Sequence, residues 1–228
     1  YEPDTAADDG FDGNVVIARR TIGSETWQLS ETSFLSNNIT DTHDVISIAV
    51  DGNGVMHMSW GMHANQGGGT NYARSTASVL TPGSPIGFTA NLAQGGLTGS
   101  ETNVTYPEFL KLPDGDLLFF YRQGGSGDGD LRLNRYDSAT QAWSVVRQPL
   151  IDGYVVGQDA ESANAYWNTP TLDSAGNLHL SWSFRMDASS FQTNHDLYYA
   201  MSPDGGVTWQ KTDGTHYAMP ITQSNSDR

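Results

Sequence analysis

Cysteine is absent from this 228-residue chain, which excludes disulfides and every thiolate metal site. Lysine is almost absent: only Lys111 and Lys211 contribute to the 11 Lys+Arg, set against 26 Asp+Glu, for a formal charge of −15. Nucleic acid and anionic membrane surfaces both draw on clustered cations, so neither is expected as a partner. A polyanionic substrate would need local arginines to outweigh the global field. Long hydrophobic runs are missing as well, and nothing approaches the roughly 18 apolar residues of a membrane span. No leader sequence is visible, and the acidic opening at Tyr1 reads as that of a processed or excised chain. What is present, 37% hydrophobic and 11% aromatic residues, suffices for one globular domain over 1–228 with a real core.

An internal repeat decides the architecture. DGNGVMHMSW (51–60), PDGDLLFFY (113–121) and DSAGNLHLSW (173–182) each read as a turn and a strand, ending on aromatics spaced 61 residues apart, Trp60, Tyr121 and Trp182. A strand-like run precedes each turn (VISIAV, PEFLKL, TPTLD), and a third follows each hairpin (NYARST, DLRLNRYD, DLYYAMS). A fourth is visible in TWQLSET and WSVVRQ. Four short strands per period, Gly/Asp turns and almost no helical periodicity predict an all-β chain, a β-propeller of four-stranded antiparallel blades. The hairpins are expected at 43–63, 105–123 and 166–185. SPDGGVTW (202–209) matches an Asp-box, a structural turn between third and fourth strands, with decayed copies at 137–143 and 21–27. At 61 residues per blade the chain holds about 3.7 blades, and an open ring exposes sheet edges. It is therefore read as roughly half of a larger propeller, the remainder being absent or carried on a separate chain.

The repeat also sorts the histidines. His57 and His179 occupy equivalent positions, in MHMSW and LHLSW, and are read as scaffold. His43 and His63 have no counterparts, since Val104 and Ala165 stand one and two periods after His43. Folding the first hairpin with Val50 opposite Val55 brings His43 opposite Met62, beside His63. The same operation puts Tyr106 opposite Gln123, next to Arg122, and Tyr166 opposite Arg185. All lie at the same end of consecutive blades and converge on one mouth. Two His, Tyr and Arg suit removal of the C5 proton of a uronic acid with expulsion of the 4-linked sugar. Arginine neutralises the carboxylate, and Tyr or His serves as base and as acid.

HDVISIAVDGNGVMHMSWGMH, TYPEFLKLPDGDLLFFYRQGGSGDGDLRLNRYD, NAYWNTPTLDSAGNLHLSWSFR and NHDLYYAMSPDGGVTW together resemble the BNR-repeat propeller polysaccharide lyases, most closely the seven-bladed ulvan lyases. The resemblance spans about His43 to Trp209. It implies β-elimination at a glucuronic or iduronic acid linked to sulfated rhamnose, an anionic polysaccharide partner, and a secreted protein, extracellular or periplasmic. It implies Tyr106 as base and acid, His43 and His63 beside the cleaved bond, Arg122 on the carboxylate, and Tyr166 in substrate contact. Trp167, Asn168 and Arg185 are further candidate substrate-binding residues. Catalysis is expected to need no cofactor. Some members hold a structural zinc through His and Cys; without Cys, His195 is the candidate ligand here for a structural zinc or calcium ion. Seven blades would require about 427 residues at this period. A sialidase is disfavoured because most of the nine arginines fall within strands or outer loops. The alternatives are a non-catalytic glycan-binding propeller, and a propeller lyase or hydrolase acting on another rhamnose-glucuronate glycan.

Overall fold

A computed structural model describes residues 13–36, 41, 43–63, 70–81, 85–92, 97–125, 127–153, 163–187 and 189–228. Its elements are strands throughout, apart from one 3-10 turn at Phe191–Thr193. β1 (Asn14–Arg19) pairs with β2 (Gln28–Leu35). β3 (Ser47–Val50), β4 (Met56–Ser59) and β5 (Tyr72–Arg74) form a meander, extended by a bridge between Ser75 and Phe88. β6 (Val104–Lys111), β7 (Leu117–Gly125), β8 (Asp128–Asp137) and β9 (Ala142–Ile151) form a four-stranded antiparallel sheet in chain order. In the last sheet β12 (Leu178–Arg185) is central. β10 (Asn164–Trp167) and β11 (Thr171–Leu172) share one of its edges, and β13 (Asn194–Ser202) takes the other.

Gly54, Gly115 and Gly176, 61 residues apart, carry φ of +80°, +95° and +85°. Each amide donates to the carbonyl three residues back (Asp51, Leu112 and Asp173), while that residue's own amide donates to the carbonyl four residues on. This is a three-residue loop whose last position is left-handed, the conformation glycine adopts most cheaply. Asp51 and Asp173 reinforce it by accepting from the amides two and four residues ahead. The loop is therefore one residue longer than the reading that set Val50 against Val55. Val50 pairs with Met56, Lys111 with Leu117 and Leu172 with Leu178.

Successive sheets pack face to face. Phe34 of β2 stacks on Trp60 at 4.6 Å, and Val15 and Ile17 join Met56 and Met58. Phe109, Phe119 and Tyr121 meet Met62 and Tyr72. Leu118, Phe120 and Leu133 meet Leu178, Trp182 and Trp209. Each large side chain buried in this way contributes about 1.5–3 kcal/mol. The repeat-equivalent histidines sit inside this framework. The ring of fully buried His57 lies 2.7 Å from the Tyr72 hydroxyl and 3.4 Å from Asp51, and His179 contacts Tyr199 and Asp173 at 2.6 and 3.3 Å. In the sheet between them the corresponding positions are Leu112, Leu118 and Leu133, all buried. Residues 202–209 fold back on themselves: Ser202 donates to Asp204, Asp204 accepts from the Thr208 amide and hydroxyl, and Trp209 Nε1 donates to Gly206.

Candidate active site

The site is built around an irregularity in β6. Pairing runs from Thr105 opposite Arg122 to Glu108 opposite Phe120, so Tyr106 and Pro107 together face Tyr121. Proline has no amide to give the ladder, and an extra residue on one strand is a β-bulge, a device that re-aims side chains. Tyr106 accordingly has φ of 53°, a left-handed conformation costly for a tyrosine and concentrated at functional sites. The bulge overturns the simple register: Gln123 faces Val104, not Tyr106. A further interruption between β10 and β11 sets Tyr166 opposite Ser183, with Arg185 opposite Asn164. Arg185 nonetheless reaches diagonally along the sheet face, its guanidinium 3.9 Å from the Tyr166 ring.

These departures draw the candidate side chains together. The His43 and His63 rings lie 4.4 Å apart, and their centres are 6.0 and 5.8 Å from the Tyr106 ring. Tyr106 in turn lies 6.4 Å from Tyr166 and 6.1 Å from Trp167. Arg122, fully buried, lies 4.3 Å from the Tyr166 ring, 5.4 Å from Tyr106 and 5.6 Å from Trp167. Its terminal nitrogens donate to the carbonyls of Gly125 and Ala165. Among the described residues no carboxylate lies within 4.0 Å of it. Burial pushes the guanidinium below its ordinary pKa, partly offset by its hydrogen bond to Tyr166. Because arginine stays charged even when desolvated, a cation is held here against carbonyl dipoles, aromatic faces and the Tyr166 hydroxyl.

A cleft of about 460 Å³ opens over this group, lined by His43, Tyr106, Glu108, Tyr166, Trp167, Thr169 and Arg185. Asn168 is exposed and turns its amide onto the Ser181 hydroxyl at 2.9 Å, outside that lining. His195 pairs with Asp196 at 3.0 Å, beside Gln223. The described residues bring no three-ligand group together around His195. Among the described residues, the one cluster that could hold a metal ion is Asp41, His43 and His63, whose ligand atoms lie within 4.8 Å of one another.

Two residues escaped the sequence reading. Asp41, two positions before His43, accepts from both histidines: Oδ1 is 2.6 Å from His43 Nδ1 and Oδ2 is 2.7 Å from His63 Nδ1. The His43 amide and these two side chains hold its carboxyl well below the usual carboxylate range. Glu108, two positions after Tyr106, accepts from Trp167 Nε1 at 3.3 Å, and burial raises its pKa.

Sheets of this kind, repeating every 61 residues and packed face to face in succession, define a propeller-type fold. The chain belongs to the BNR repeat-containing family, whose model matches residues 10–228. It is 27% identical over 221 residues to the long isoform of ulvan lyase from Alteromonas sp. (strain LOR), covering 82% of this chain and 22% of that one. The long isoform from Pseudoalteromonas sp. (strain PLSV) is 26% identical over the same shares. Among solved structures, polysaccharide lyase Uly1 matches with a TM-score of 0.73 at 20% identity, over 95% of this chain and 54% of that one. A PL25 ulvan lyase bound to -[GlcA(1-4)Rha3S]- matches with 0.70 at 15% identity, over 94% and 55%. The chain thus spans about a quarter of these curated relatives and about half of these solved chains.

Proposed function

We propose that this chain is the catalytic part of a polysaccharide lyase that cleaves ulvan by β-elimination at a uronic acid. One observation carries the reading: Arg122 is a buried cation without a carboxylate partner among the described residues, in contact with the ring that borders the paired histidines. An isolated buried charge is costly, and a substrate carboxylate held in the cleft above Arg122, where Arg185 is part of the lining, relieves that cost. Neutralising the carboxylate acidifies C5–H. A base among Tyr106, His43 and His63 removes that proton, the C5–H electrons form the C4=C5 double bond, and the C4–O bond breaks as its oxygen is protonated. Tyr166, Trp167 and Arg185 offer aromatic faces and positive charge for flanking sugars. The names of the relatives support ulvan as the substrate, and no step calls on a cofactor.

The 1–228 segment is read as one partial-propeller domain, about half of a seven-bladed ring. The share of the solved relatives' chains that it covers, about half, supports this. The Asp-box reading of 202–209 is supported by its closed hydrogen-bond loop. A polymeric substrate favours action outside the cytoplasm, in the periplasm or medium.

The test is ultraviolet absorbance of the unsaturated uronate formed when the intact protein is mixed with ulvan, heparan or alginate. A rise with ulvan alone is expected, lost on Tyr106→Phe with glycan binding retained. Binding without any rise would overturn the lyase in favour of a glycan-binding propeller. A rise with other glycans as well would move the substrate to a broader uronate class.

A further inference from the structure

We propose that Asp41 is the positioning residue of this site, fixing both histidines in the tautomer that carries its proton on Nδ1 and leaves Nε2 as an acceptor. The proposal rests on the lyase reading for its catalytic consequence, but its structural content stands on geometry alone. An ionised carboxylate accepts and never donates. The two oxygens of Asp41 are divided between two rings, Oδ1 at 2.6 Å from His43 Nδ1 and Oδ2 at 2.7 Å from His63 Nδ1. Each ring must therefore supply the hydrogen at Nδ1. In a neutral imidazole the other nitrogen is then the lone-pair site, and the partner of one nitrogen settles the state of the second.

The clamp has three further supports. The His43 backbone amide donates to Asp41 Oδ1 at 3.0 Å, tying the carboxylate to the segment it orients. The rings it holds are 4.4 Å apart and inclined by 30°, a spacing at which neither can turn freely. His63 Nε2 is buried and has no hydrogen-bond partner among the described residues, as expected of an acceptor held away from protein donors. A second carboxyl, Asp44, is buried nearby. Its own burial and the charge of Asp41 raise its pKa, whereas the hydrogen bonds of Asp41 lower its own.

For the reaction, this means that His43, which lines the cleft, meets substrate ready to receive a proton, while His63 is held in the same form behind it. Asp41 touches no substrate; it acts through the two rings. The first readout is a long-range nitrogen–proton NMR correlation on the intact protein labelled at histidine, with His43 and His63 assigned from His43→Gln and His63→Gln spectra. Both rings are expected in the Nδ1–H form. Asp41→Asn offers one oxygen and one amide group, so one ring should keep that form and the other switch to Nε2–H. Asp41→Ala should leave both rings mixed. On ulvan, kcat should fall roughly 10²-fold in Asp41→Asn with KM nearly unchanged, and Asp41→Glu should recover part of it.

Nε2–H rings in the wild type, or spectra unchanged in a folded Asp41→Ala, would overturn the proposal. So would loss of activity on chelation with restoration by zinc alone, since these atoms would then be metal ligands. Should the wild type cleave nothing, the lyase reading fails, while the spectra still decide the role of Asp41.

Discussion

Arg122 shows what a single side chain contributes when it is buried without a counter-ion among the described residues. Arg122→Lys keeps the charge but loses the planar fork held between the Gly125 and Ala165 carbonyls. It should cost about 2–4 kcal/mol in kcat/KM on ulvan, measured from initial rates. Glu108 acts in the opposite sense. Its raised pKa means the folded state binds its proton more tightly than the unfolded chain, so stability falls as pH rises above the ordinary glutamate value of 4.5. Glu108→Gln should raise stability at pH 7 relative to pH 4 in urea titrations, and should lower KM by removing a negative charge from the cleft. His57 titrates the other way: burial lowers its pKa from 6.5 to about 4, so the unfolded chain binds the extra proton first. Stability present above pH 6.5 is lost as pH falls through 4, by about 3 kcal/mol, and melting curves of His57→Leu should flatten that slope. The roles of these residues were unevenly legible in the sequence. His43 and His63 stood out because they break the repeat, and Tyr106 and Arg122 because hairpin folding brings them to the same end of the next blade. Asp41 and Glu108 did not, because a lone carboxylate in a chain with 26 acidic residues carries no signal until its partners are known.

At the scale of elements, the hairpins and their turns could be located from the 61-residue period, whereas the register could not. Three-residue and two-residue loops share the same Asp/Gly vocabulary, and only the amide partners of Gly54, Gly115 and Gly176 distinguish them. The bulge at Tyr106–Pro107 was signalled by its proline, but the direction in which it sends the ring is set by packing against the next sheet. Adjacent turns also touch: the Gly52 amide donates to the Gly115 carbonyl at 2.7 Å, and a Cβ on Gly115 would lie 2.7 Å from Gly52 Cα. Both the positive φ and that close approach oppose a side chain. Gly115→Ala should therefore destabilise by about 2 kcal/mol or more in chemical denaturation, whereas Gly23→Ala, which meets nothing within 4 Å, should pay only the backbone penalty.

Across the whole molecule, propeller-type organisation followed from repetition alone, since a period of four strands leaves few other ways to bury both sheet faces. Which sheet faces meet was not legible, because Met, Trp and Phe fill all three cores alike. The three sheets nevertheless differ at one corresponding spot, buried in the first two and partly exposed in the last. Asp51, His57 and Tyr72 fill it in one sheet and Asp173, His179 and Tyr199 in another, while the sheet between them uses Leu112, Leu118 and Leu133. His57→Leu alone should cost about 2–3 kcal/mol, because Asp51 and Tyr72 lose a buried partner, and replacing all three by leucine should cost less than the sum of the single changes. Denaturation of the seven variants in that cycle measures the coupling. Each trio thus behaves as one heritable unit with two spellings, polar or oily. Among distant relatives the three positions should change together from one spelling to the other, and mixed sets should be rare.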